Sequence, residues 1–82
     1  MTRSERAAYL WRRLVTRIGQ DVPPGSGNDP RVWAAVEGPS RRVFEAERAY
    51  LAGGDERPLV AAMEDLLRAW RRAAGVEEAR TA

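Results

Sequence analysis

The stretch RPLVAAMEDLLRAWRRAAG, residues 57–75, decides the fold. Leu59, Met63, Leu66, Leu67, Trp70 and Ala74 recur at three- and four-residue intervals, so on an α-helix they form one apolar stripe. Pro58 fixes the start, because a residue without an N–H is tolerated only in a first turn. Gly75 suits the left-handed position that ends a helix. Glu64 and Asp65 precede Arg68 by four and three residues, spacings that favour pairing. Between residues 55 and 72 the acids Asp55, Glu56, Glu64 and Asp65 match Arg57, Arg68, Arg71 and Arg72 in number, which describes an ordinary solvated face.

Working back toward the N-terminus, Gly53-Gly54-Asp55 reads as a tight turn, which makes the helix before it an antiparallel neighbour. That helix spans 41–52, with Ser40 as its cap and Val43, Phe44, Tyr50 and Leu51 on its apolar side. Gly38-Pro39 reads as a break. A short helix precedes it, started by the N-cap Asp29 and by Pro30, with Val32, Trp33 and Val36 on one side. QDVPPGSGND, residues 20–29, reads as a flexible loop. The first helix spans 2–18: Thr2 and Glu5 have capping-box spacing, and Gly19 is its expected end. Ala7, Trp11, Leu14 and Ile18, flanked by Leu10 and Val15, form its apolar stripe, opposite Tyr9, Arg13 and Thr16.

No stretch alternates with period two, so no strand is expected. The fold class is all-α: a small bundle of three main helices plus one short helix, the last two helices an antiparallel hairpin. It forms one domain over residues 1–75, with a frayed tail at 76–82.

Composition narrows the chemistry. The chain has 82 residues, 44% apolar and 32% charged. A chain this short buries roughly 60% of its unfolded surface, so covering by another copy or another protein would help its core. No apolar run approaches the roughly 20 residues of a membrane span, and the N-terminus lacks the apolar stretch of a signal peptide; a cytoplasmic protein is expected. There is no Cys and no His, and all 14 basic residues are Arg. Thiolate chemistry, the usual metal ligand, the usual neutral-pH base and a Schiff-base lysine all drop out. The carboxylate pairs Glu45/Glu47, Glu64/Asp65 and Glu77/Glu78 are too close in sequence to converge from one helix. The expectation is no enzyme, no cofactor and no metal.

Two WRR tripeptides, Trp11-Arg12-Arg13 and Trp70-Arg71-Arg72, suggest a repeated site for stacking and phosphate binding. Successive helical residues point about 100° apart, so an inward tryptophan sends its two arginines outward, and neither copy is a composite site. Their settings differ: the first helix carries Arg3, Arg6, Arg12, Arg13 and Arg17 against Glu5 alone. Arg6, Arg13 and Arg17 fall along one line, spanning roughly 16 Å at 1.5 Å per residue. With Arg3, that stripe is the candidate surface for an acidic protein partner or for phosphates. Its bland alternative is a solvated face partly neutralised by Asp21 and by acids of the other helices.

Two further candidates stand apart. Trp33, beside the loop, either caps the bundle or anchors a partner. Glu47 shares a face with Val43, Tyr50 and Leu51, so its carboxylate either reaches the edge or pairs with an arginine of the first or last helix or of a partner. The expected function is a non-catalytic helical protein-interaction module, a small adaptor, inhibitor or accessory subunit acting through helix faces. A homodimer fits the apolar surplus, and a small DNA- or RNA-binding protein using the arginine stripe is the alternative.

Overall fold

A computed structural model describes residues 1–76. It contains three helices, α1 (Arg3–Asp21), α2 (Pro30–Leu51) and α3 (Arg57–Ala73), with a 3-10 turn at Ser26–Asn28. The chain is a small all-α bundle without strands among the described residues. Trp70 on α3 meets Trp33 at the start of α2, as an antiparallel hairpin requires. At one end of α1, Arg3 reaches Tyr50 and Gly54; at the other, Asp21 lies near Arg71. Helix α1 therefore runs parallel to α3 and antiparallel to α2.

Local chemistry sets most boundaries. At the head of α1 the Thr2 hydroxyl accepts from the Glu5 N–H at 3.1 Å, while the Glu5 carboxylate accepts from the Thr2 N–H at 2.7 Å. Asp29 caps α2 by accepting from the Arg31 N–H at 2.9 Å, with Pro30 at the first helical position. Both α2 and α3 end on a glycine with positive φ, Gly53 at 112° and Gly75 at 80°. In each case the next residue donates back five positions, Gly54 to the Ala49 carbonyl and Val76 to that of Arg71, satisfying carbonyls the helix leaves over. A Cβ on Gly54 would stand 2.9 Å from the Ala49 oxygen, so this turn takes no larger residue without shifting. Beyond Val76 the expected tail lies outside the described residues.

Two boundaries differ from the sequence expectation. Helix α1 passes through Gly19 and stops three residues later, where Val22 is extended (φ −105°, ψ 134°). Pro23 imposes that conformation on Val22, and Asp21 is held by Arg17 at 3.4 Å, so a glycine with ordinary φ is carried along. The second difference is larger. The short helix and the middle helix are one helix of 22 residues, and Pro39 lies in its interior. Val36 and Val43, one turn on either side of that proline, are fully buried against the core. Burying two such side chains stabilises by roughly 1.5–3 kcal/mol each, which offsets the roughly 3 kcal/mol an interior proline costs.

The core is formed by Ala7, Leu10 and Leu14 of α1, Val32, Val36, Val43 and Tyr50 of α2, and Leu59, Met63, Leu66 and Trp70 of α3. Nothing polar or charged is buried with them among the described residues. Trp11 is only half-buried, because its ring turns onto Phe44 of α2 at 5.2 Å between centroids. Val15, one turn further on, is exposed.

Candidate functional site

The arginine stripe of α1 is divided by the fold. Arg6 makes a two-pronged pair with Glu56 at the start of α3, at 2.9 and 3.0 Å. Those bonds hold the Glu56 carboxyl below its ordinary value and raise the Arg6 guanidinium further. Arg3 donates to the carbonyls of Tyr50 and Gly54 at 2.8 and 2.7 Å and lies over the Tyr50 ring. Arg3 and Arg6 thus clamp the first helix to the α2–α3 turn and are committed to the fold.

Arg13, near the midpoint of α1, and Arg17, one turn further on, are placed differently. Both stand on one wall of an open groove between α1 and α3. Leu10, Leu14, Val60, Met63 and Leu67 supply the apolar lining and Glu64 the opposite wall. Among the described residues no carboxylate pairs with Arg13, whose guanidinium lies 5.7 Å from the Tyr9 ring centroid. Arg17 reaches Asp21 at 3.4 Å, and Arg71 reaches the same oxygen at 3.9 Å. One carboxylate therefore serves two guanidiniums, leaving an excess of positive charge along the α1 rim. Acids of the other helices neutralise Arg6 and Asp21 partly neutralises Arg17, while Arg13 is exposed with no carboxylate beside it among the described residues.

Trp33 packs at one end of the bundle. Its ring meets Trp70 edge-on at 5.2 Å, and its indole N–H donates to the Gly27 carbonyl, tying the 3-10 turn to α2. It nonetheless remains 54% exposed, a large value for tryptophan. Glu47 is half-buried and makes no ion pair among the described residues, so its carboxylate sits at the edge and the pairing to the first or last helix does not occur.

The groove itself was not foreseen. Leu10 and Leu14 were legible as core, but only the spacing between α1 and α3 leaves a groove beside them, lined on α3 by the partly buried Val60 and Leu67 and, at its floor, by the buried Met63. The one sequence signal is that Arg13 and Arg17 flank that leucine pair on the α1 surface. At about 160 Å³ the groove falls short of the roughly 300–1,000 Å³ of small-molecule sites. It suits one or two side chains of something laid across it. Among the described residues no three acidic side chains come together as a metal site would need, and no helix is long and apolar enough to cross a membrane.

Comparison with protein-family models, with curated proteins and with solved structures found no match.

Proposed function

We propose that this chain is a non-catalytic interaction module that receives an amphipathic helix of a partner protein in the α1–α3 groove. The observation that carries the reading is Arg13, a guanidinium without a carboxylate among the described residues, on the rim of an open apolar groove. The groove is polarised, with Arg13 and Arg17 on one wall and Glu64 on the other. It fits a helix laid across it with one or two apolar side chains entering, acids along the edge that meets α1, and a base opposite Glu64. Apolar side chains supply affinity; the rim charges supply orientation and association rate. The absence of His, Cys and Lys supports a non-catalytic role.

Selection from a library of helical peptides tests this. Enrichment of acidic amphipathic helices, lost with Arg13→Glu/Arg17→Glu, is the expected result. Enrichment that survives the double reversal, or favours basic peptides, contradicts it.

A second reading rests on an adjoining surface that shares Arg13 and Arg17 with the groove. Tyr9, Arg12, Arg13, Thr16 and Arg17 surround a shallow hollow on the outer side of α1, an aromatic ring among guanidiniums as phosphate-bearing strands favour. Binding of DNA or RNA there would weaken steeply with salt. Duplex and single-stranded probes that fail to bind at low salt remove it.

A further inference from the structure

One flank of α2 carries exposed apolar surface beyond what the core and the groove use. Trp33 and Phe44 are each 54% exposed and Leu51 is 45% exposed. Trp33 and Leu51 are eighteen residues apart, five full turns, and Phe44 falls within roughly 20° of the line joining them. Trp11 lies on Phe44, and Val15, 61% exposed, extends the face onto α1. With 150–250 Å² for a whole aromatic side chain, these exposed parts amount to roughly 400 Å² of apolar surface. That is about half of the roughly 800 Å² each partner gives to a stable interface, and interfaces are themselves little more than half apolar.

This face is complementary to itself. A two-fold axis near residue 42 lays α2 antiparallel on a second α2. Trp33 then meets the partner's Leu51, and Ser40 meets the partner's Phe44. A shallow hollow lined by Trp33, Ala34, Glu37 and Ser40 adjoins that contact on its Ser40 side. Glu37 comes opposite the partner's Arg48. Arg48 has no carboxylate partner among the described residues, and Glu37 has only the exposed Arg41 at 3.3 Å. The symmetry repeats each pairing, as an isologous interface requires.

We infer that this face binds a second copy of the chain, α2 against α2, in that register. The proposal is independent of the α1–α3 groove, which stays open in the dimer.

Sedimentation equilibrium of the full chain across micromolar to millimolar concentrations tests it. The chain is expected to dimerise, and Phe44→Arg to leave it monomeric. Glu37→Arg and Arg48→Glu should each weaken the dimer about tenfold, and the double reversal should restore it to within about threefold. Glu37 and Arg48 are about 16 Å apart along one helix, so restoration reports contact between copies. Both are exposed, so the reversals keep the fold, checked by circular dichroism, even if Phe44→Arg does not. A monomer at every concentration overturns the proposal and leaves the face to a helix of another protein. A dimer that survives Phe44→Arg, or a double reversal no better than either single one, overturns it as well.

Discussion

Replacing Pro39 by alanine should make the protein more stable. Pro39 lies inside α2, so the Ala35 carbonyl has no N–H four residues on and faces the proline ring instead. An interior proline costs roughly 3 kcal/mol relative to alanine. Alanine forfeits the packing of a half-buried ring, about 1 kcal/mol for one or two methylenes. The net gain is about 1–2 kcal/mol, which in a domain this size raises Tm by roughly 5–15 °C. Thermal and urea unfolding followed by circular dichroism would measure it, with helix content equal or higher. The opposite outcome is informative. Were Gly38-Pro39 a break between two helices, the proline would suit its backbone and alanine would cost about 0.4–1 kcal/mol through the unfolded chain. A lower Tm would therefore refute the continuous helix and the reasoning that buried Val36 and Val43 hold it together.

Leu59 is fully buried in the core, so Leu59→Ala should cost about 2–5 kcal/mol and lower the urea midpoint sharply; a loss below about 1 kcal/mol would mean the core does not depend on it. Glu56, Glu5 and Asp55 are each held below their ordinary values, by the Arg6 guanidinium, by the Thr2 N–H and hydroxyl, and by the Arg57 side chain. Carboxyls depressed in this way stabilise above their ordinary values and lose that contribution as pH falls through the depressed ones. Tm should thus decline on acidification below about pH 4.5 and decline less in Glu56→Gln; a flat profile down to about pH 3 would contradict the clamp. Glu47→Ala should change stability by no more than about 0.5 kcal/mol, as a carboxylate at the edge requires, and a loss of several kcal/mol would reveal a pairing.

Much of the fold was legible because several signals are local. Thr2 with Glu5, Asp29 with Pro30, and the glycines at 53 and 75 each specify a helix end from neighbouring atoms alone. The stripe from Leu59 to Trp70 is continuous, and all four of its most buried members lie where the spacing puts them. Gly19 and Pro39 misled for different reasons, a stronger stop signal further on in one case and burial in the other. Gly19 keeps an ordinary φ because Pro23 ends the helix instead, and Pro39 is overridden by its valine neighbours. The candidate site was half legible. The arginine line is a property of one helix, but which arginines the fold consumes depends on Glu56 and the Tyr50 carbonyl, about fifty residues away in the chain. The groove depends on the distance between two helix surfaces, which no single stretch encodes.

The groove can be observed through one side chain. The chain has only two methionines, Met1 and Met63, and Met63 lines the groove while Met1 lies at the exposed N-terminus. Protein carrying ¹³C-methyl methionine therefore gives one resonance on the proposed surface and one internal control. Titration with an acidic amphipathic helical peptide should shift the Met63 methyl in a saturable way and leave Met1 still, with the shift lost in Arg13→Glu/Arg17→Glu. A Met63 resonance that stays fixed while the peptide binds, or that moves equally in the double variant, would contradict the account.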